Sequence, residues 1–263
     1  IMTAEPKFVP AQGTEIKIGE NEIPFRIRFA DCVGYVIDGV KGYEDENGPK
    51  FVHTPWHADP IPFVEAAKIG TDKVIRDHAN IGVVVTTDGT VNGISREAAE
   101  VAEVQIIDQL KEIGKPFVVI LNSQYPSHHN TIELRNRLFQ QYGVPIIPIS
   151  IDQMALKDME YILQEALYEF PVEDIIVEKP DWIDVLDESH HLNVTLSEAI
   201  DETVNSVNKI RDVDLASERL LNYEFIENCE VQDVDAGLGV AKLRVSLKPD
   251  IYKAVCNEWL DAP

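Results

Sequence analysis

The sequence is short of positive charge. Its 263 residues carry 23 Lys and Arg against 46 Asp and Glu, a net charge of −23. So acidic a chain lacks the basic surface that neutralises nucleic-acid phosphates, and no nucleic-acid partner is expected. The same charge argues against docking on anionic lipid through a basic patch. Long apolar runs are lacking too. The longest, such as Ile81 to Val85, have the length of a strand, far from the roughly 20 residues of a membrane-spanning helix, so no direct membrane insertion is expected. Cysteine is scarce: Cys32, Cys229 and Cys256 are scattered and odd in number. They make neither a disulfide framework nor a metal cluster and suit a reducing cytoplasm. The first residues do not read as a secretory signal, and there is no internal repeat or low-complexity tract. What is present suffices for folding. A hydrophobic fraction of 44% builds a core, and the length fits one large domain or two ordinary ones.

Residues 1–13 are polar, contain proline and read as loop. Glu15 to Ile18 alternate, Gly19-Glu20-Asn21 turns, and Phe25, Ile27 and Phe29 alternate with Arg26 and Arg28. This predicts a β-hairpin running into Ala30. Residues 35–60, rich in Gly and Pro, read as a long loop. A helix follows from Pro62. Ile81 to Thr86, Phe117 to Leu121 and Val144 to Ile149 are apolar, β-branched runs of buried parallel strands. Helices alternate with them: one opens at Ser95 and stops at Gly114, one stops at Gly143, and the last stops before Pro171. The pattern predicts an α/β fold, a mostly parallel sheet with helices on both faces and an antiparallel edge strand. After Pro171 the texture changes. A strand at residues 174–177, a long polar helix over 196–221, strands at 224–231 and 240–247 and a helix from Pro249 predict a smaller α+β domain. The expected division is 1–170 and 171–263.

The residues with most chemical content are Asp31-Cys32-Val33-Gly34 at the end of the hairpin's second strand. In P-loop nucleotide hydrolases an Asp at a strand end holds Mg²⁺, usually through water. The glycine beyond it lets the backbone approach the terminal phosphate. By itself D-x-x-G also starts an ordinary turn. Here a hairpin precedes it, a Gly-rich loop follows, and further buried strands come later, which favours the nucleotide reading. Asn122-Ser123-Gln124-Tyr125 ends the second buried strand, where switch GTPases carry N-K-x-D. The Asn is kept, but Ser123 replaces the Lys and Tyr125 the Asp that reads guanine, so guanine specificity has no visible carrier. Ser150, after the next strand, sits where such folds contact the base, although an ordinary loop serine is the simpler reading. Thr3 precedes the hairpin, the place of a threonine that closes on Mg²⁺ and the terminal phosphate.

No G-x-x-x-x-G-K-[ST] occurs in the sequence: Gly114-Lys115 is followed by Pro116. A phosphate cradle needs consecutive backbone N–H groups at a helix N-terminus and a Lys. In this topology it would precede Thr3, outside the chain. The first residue is Ile1 rather than Met, so the sequence reads as a piece of a longer protein, expected to be inactive alone. Other candidates are weaker. His53 and His57 are separated by Pro55, which keeps them off one helix face. His128-His129 and His190-His191 are expected to diverge and to be surface residues. Glu44-Asp45-Glu46 reads as a solvated loop, and Trp56 either packs that loop down or faces a partner.

Taken together, these residues resemble the stage IV sporulation protein A family, the spore-coat morphogenetic ATPases of endospore-forming bacteria. The resemblance is carried by Thr3 to Pro10 (TAEPKFVP), Asp31 to Tyr35 (DCVGY), Gly39 to Pro49 (GVKGYEDENGP) and Thr54-Pro55-Trp56. It continues in Ile81 to Thr90, Glu165 to Val172 (EALYEFPV), Arg211-Asp212-Val213-Asp214 and Phe225-Ile226-Glu227. It implies a GTPase-type P-loop domain turned to ATP, followed by a middle domain. Asp31 becomes the Mg²⁺ residue and Thr3 the threonine needed for hydrolysis. Ala4 stands where the family often has a second Thr. Gly34, Asn122 and Ser150 become nucleotide contacts, with ATP and Mg²⁺ as cofactors. The resemblance further implies that hydrolysis drives self-assembly into the basement layer of the coat around the forespore, from the mother-cell cytoplasm. The partners would be copies of itself, other spore-coat morphogenetic proteins, and a small amphipathic membrane peptide bound through a C-terminal region beyond this chain. The alternative is a structural scaffold that retains a vestigial nucleotide-binding fold.

Overall fold

The computed structural model describes residues 6–18, 23–37, 43–45 and 48–261. Thr3, the hairpin turn at Gly19 to Asn21 and Glu46 of the acidic run lie outside the described residues. The chain divides into two compact units, residues 1–166 and 167–263.

In the first unit, β1 (Phe8–Ile18) and β2 (Ile23–Ala30) pair antiparallel, with a register shift between Val9 and Thr14. The strand thus starts inside the stretch expected to be loop. The long loop holds two short pairings, Glu44–Asp45 with Gly48–Pro49 and Phe51–Val52 with Ile61–Pro62. Helix α1 (Phe63–Lys73) continues into a π-type turn, Val74–His78. Then come β3 (Gly82–Thr87), α2 (Arg96–Ile113), β4 (Phe117–Asn122), α3 (His129–Tyr142), β5 (Ile146–Ile149) and α4 (Leu156–Tyr168). The strands form a parallel sheet in the order β3-β4-β5. Among the described residues the hairpin is a separate sheet.

Local chemistry accounts for these boundaries. The Ser95 side chain accepts from the Ala98 amide and caps α2, which ends on Gly114 at φ 74°. Gly143 at φ 68° ends α3 in the same left-handed conformation. β4 is covered on both faces. Phe117, Val119 and Leu121 meet Ile107 and Leu110 of α2 and Leu134 and Leu138 of α3. Val118 and Ile120 meet Ile162 and Ala166 of α4. This is a three-layer α/β/α arrangement, and a strand buried on both sides reads as a continuous apolar run for this reason.

Cover is incomplete over β3. Val84 is buried, but Val83 and Val85 are 40% and 57% exposed. They pair alongside Val118 and Ile120, so they lie on the α4 side of the sheet. Among the described residues the outer edge of β3 carries no partner strand.

The second unit contains β6 (Asp174–Glu178), α5 (His191–Val204), α6 (Arg211–Leu220), β7 (Ile226–Asp235), β8 (Val240–Leu247) and α7 (Pro249–Asp261). Its sheet has the order β6-β8-β7, with β6 parallel and β7 antiparallel to β8. Leu196, Val213, Leu220, Leu243, Val245 and Val255 share its core. The single helix expected over 196–221 is two helices. The Asp212 carboxylate accepts from the amides of Asn208 and Lys209. The carboxylate thus holds the segment between the two helices against the first turn of α6, after the Asn205-Ser206 turn that follows α5. At the start of the unit, Glu169 is 4% exposed and pairs with Lys209 Nζ at 2.6 Å and Arg211 Nε at 2.5 Å. No helix among the described residues is long and apolar enough to cross a membrane.

Candidate functional site

In open parallel sheets, ligands bind beyond the carboxyl ends of the strands. A cleft of about 420 Å³ runs along the open edge of β3, from Ala79 and Ile81 before the strand to Thr87 and Asn122 at the carboxyl end of the sheet. Its walls include Cys32 and Gly34 from the segment after β2, residues 81–87 along β3, Thr71 and Ile75 behind, and Asn122 at the end of β4. Two of the nucleotide-contact residues expected from sequence, Gly34 and Asn122, therefore face one cavity. Asp31 is exposed immediately after β2, at the mouth of the same segment. Asp31 and Ser150 do not line the cleft wall.

Gly34 has φ +75°, and a Cβ built on it would meet nothing within 4 Å. The glycine is thus required by backbone conformation, and the space in front of it is open to an approaching group. Its amide donates to Thr71 Oγ1 at 3.0 Å, and Thr71 is buried in α1. Next door, the Tyr35 hydroxyl donates to Gln109 of α2, which donates to Asp72 of α1. The segment after Asp31 is therefore tied to two helices by side-chain bonds.

Asn122 does not point freely into the cavity. Its Oδ1 accepts from the Ile151 amide at 3.1 Å, joining the β4 loop to the loop after Ser150. The Ser123 amide donates to the Ile149 carbonyl. Ser123 is fully buried, and its hydroxyl accepts from the Tyr125 amide. Tyr125 is 63% exposed. The loop that reads guanine in switch GTPases here presents a phenol and no carboxylate.

Two polar clusters escape a reading of the sequence. Asp88, just beyond β3, accepts from the Thr90 amide and hydroxyl and from Thr131 Oγ1 of α3. Partial burial pushes its carboxyl up, but hydrogen bonds from Ser123, Thr90 and Thr131 outweigh this and hold it below the usual range. Thr90 Oγ1 in turn accepts from the Gln124 amide. Asp88 thus fixes the loops after β3 and β4 to the start of α3. The available signal was Thr87-Asp88-Gly89-Thr90 directly after an apolar strand, which also describes an ordinary turn.

The second cluster is deeper. Arg96 and Glu103 of α2 form a bidentate pair at 2.6 and 2.7 Å. Glu103 is 3% exposed and also accepts from the Tyr142 hydroxyl at 2.7 Å. Arg96 Nη1 reaches Thr86 Oγ1 of β3, while its buried Nε has no hydrogen-bond partner. This network locks α2 and α3 to the cleft's strand.

Comparison with known proteins agrees with this layout. Residues 1–171 match the family described as "Stage IV sporulation protein A, ATPase domain", and residues 172–263 match its middle domain. The chain is 45% identical over 258 residues to Stage IV sporulation protein A of Bacillus anthracis. It is 43% identical to that of Bacillus subtilis (strain 168) and 38% identical to that of Clostridioides difficile (strain 630). Each alignment covers 98% of this chain and 52% of the relative. The chain thus spans about half the length of the curated relatives it matches. No solved structure gives a significant match.

Proposed function

The chain belongs to the stage IV sporulation protein A family, and from that premise we propose that it forms most of an ATP-hydrolysing domain whose turnover drives self-assembly. The assembly would be the basement layer of the spore coat, built on the forespore from the mother-cell cytoplasm. One observation carries this reading: the cleft beside β3. A strand edge unpaired among the described residues, two uncovered valines on the α4 side of the sheet, and Gly34, with empty space where a Cβ would stand, line one space. A strand pairing with that edge, leading through a glycine-rich loop into a helix over Val83 and Val85, would fill it. Such a unit would place a phosphate cradle at the carboxyl end of the sheet, beside Gly34 and Asp31. We assign that unit to sequence upstream of this chain.

Asp31 suits Mg²⁺. It is an exposed, hard oxygen donor at the end of a strand, and Mg²⁺ is held through one or two carboxylates and retained water. Bound Mg²⁺ would neutralise charge on the β- and γ-phosphates. Thr3, by family resemblance, would close on the same ion. Asn122 and Ser150 would shape the base pocket through their shared loop contact rather than read guanine. The acidic surface agrees with attachment to the membrane through a partner peptide rather than through lipid charge, and with further spore-coat morphogenetic proteins as neighbours.

The test is ATP and GTP hydrolysis together with polymer sedimentation, on the protein extended upstream through the phosphate-binding loop. ATP-selective turnover with nucleotide-dependent pelleting is expected. Pelleting that is unchanged without nucleotide would leave a scaffold with a vestigial nucleotide fold. GTP turnover matching that of ATP would return the chain to a conventional switch GTPase, against the evidence of Tyr125.

The cleft gives a sharper prediction. Val85→Asp should leave the stability of the 263-residue chain within about 0.5 kcal/mol, because the side chain is already solvated. In the extended protein the same change buries an unpaired carboxylate and should cost about 2–4 kcal/mol, with loss of nucleotide binding. Thermal melts of both forms, side by side, check this. Equal tolerance in both would show that nothing covers β3.

A further inference from the structure

The second unit carries a cluster unconnected with the nucleotide reading. His190 is the N-cap of α5, His191 is its first residue, and Glu258 lies on α7. The sequence suggested that the two histidines diverge. They do not: their ring centroids are 4.5 Å apart and tilted by 30°. The cause is the helix boundary. His190 has extended backbone, with φ −61° and ψ 131°, whereas His191 is helical. The change of direction between them brings both rings to one side. Glu258 completes the group, with its Oε2 at 3.2 Å from His190 Nε2. One ligand atom from each of the three residues lies within 4.8 Å of the others.

We propose that His190, His191 and Glu258 bind a divalent ion of the Zn²⁺ class and so pin α7 to the start of α5. Two imidazole nitrogens and one carboxylate oxygen are the donor set of such borderline ions. The His190–Glu258 spacing of 3.2 Å already matches the edge of a tetrahedron with bonds of about 2.0 Å, roughly 3.3 Å. His191 and Glu258 are both exposed, which leaves their side chains room to turn toward an ion, while His190 is held at 16% side-chain exposure. Water would complete the coordination. The chain's charge of −23 concentrates cations near its surface. His190 Nδ1 now accepts from the Leu192 amide at 3.2 Å. A neutral imidazole bound through Nε2 carries its proton on Nδ1, so binding gives up that cap.

The experiment is calorimetric titration of the chelator-treated 263-residue chain with ZnCl₂, with MgCl₂ as the control. One Zn²⁺ per chain with micromolar or tighter affinity is expected, with no saturable Mg²⁺ binding to this cluster. His191→Ala and Glu258→Gln should each weaken Zn²⁺ binding tenfold or more. His190→Asn keeps a good capping side chain while removing the ligand, so it separates coordination from helix stability. It too should lose binding, with the fold intact by circular dichroism. Absence of saturable binding would overturn the proposal. So would unchanged affinity in the His191→Ala and His190→Asn variants, which would move the ion to the chain's other histidines.

Discussion

Replacing Asp31 with alanine in the upstream-extended protein is expected to lower ATP turnover by about two orders of magnitude or more, without lowering the melting temperature. Two features separate the effects. Asp31 is exposed at the end of β2, and surface substitutions away from buried networks change stability by about 0.5 kcal/mol or less. Its proposed work is electrostatic, holding Mg²⁺ where charge develops on the transferred phosphoryl group. Removing one such preorganised group typically costs a factor of about 10²–10³ in turnover. Nucleotide affinity should fall much less, because the proposed phosphate cradle and base pocket would not depend on Asp31. Gly34→Ala makes an instructive contrast. At φ +75° an alanine is strained by about 1 kcal/mol or more, so that variant should lose stability and turnover together. Steady-state hydrolysis and thermal melts on the two variants distinguish the roles. Turnover of Asp31→Ala within threefold of the parent would remove Asp31 from the metal site.

Much of this architecture is legible in the sequence because it rests on short-range chemistry. Ser95 caps α2 and Gly114 ends it, as expected from capping residues flanking an apolar face. The run Phe117 to Leu121 reads as a strand buried on both sides, and it is one. The break between α5 and α6 was hidden for an equally physical reason. Ile200, Val204, Val207 and Ile210 keep helical spacing across it, while the Asp212 carboxylate that holds the intervening segment acts backward on the Asn208 and Lys209 amides. Periodicity reports which face is apolar, not where the backbone leaves the helix. The convergence of His190 and His191 was hidden in the same way, since it depends on a helix boundary falling between them.

The site divides along the same line. Asp31, Gly34 and Asn122 stand out by their context: D-x-x-G alone also starts an ordinary turn, but here it follows a hairpin strand and precedes a Gly-rich loop, and Asn122 ends a buried strand. Asp88 does not, because an Asp before Gly89 and Thr90 is also what a turn selects. Its value comes from Thr131, 43 residues later. Asn122 shows how type and role can part. The sequence points to a nucleotide contact, and the Asn122 side-chain carbonyl oxygen accepts from the Ile151 amide. What the structure shows of it is that it fixes two loops against each other.

Glu103→Ala is expected to be among the most destabilising single changes in the chain, at about 3–5 kcal/mol, because it strands Arg96 as a buried, unpaired charge. The Arg96 side chain is 12% exposed and its Nε already lacks a partner, so without Glu103 only the neutral Thr86 hydroxyl and Thr87 carbonyl remain to it, at 3.2 and 3.5 Å. Removing both charges avoids that penalty. Arg96→Met with Glu103→Leu should therefore recover most of the loss, as replacing a buried pair by apolar side chains is often neutral. Tyr142→Phe should cost only about 1–2 kcal/mol, the loss of one hydrogen bond to a charged group. The pH dependence has a definite sign. Burial pushes the Glu103 carboxyl up, but hydrogen bonds from Arg96, Thr86 and Tyr142 outweigh this and hold it below its ordinary 4.5. An unfolded Glu103 binds its proton more readily than the folded one, so its contribution is complete above that value. It is lost as pH falls through the lower folded one. Denaturant midpoints should then fall more steeply in the parent than in the Arg96→Met, Glu103→Leu double variant as pH drops below about 4.5. Parallel midpoint curves for the two proteins would show that this pair does not govern acid stability. Because α2 and α3 are tied to β3 through the same three side chains, loss of Glu103 should also loosen the carboxyl end of the cleft. That would lower nucleotide affinity in the extended protein without touching any residue that contacts the nucleotide.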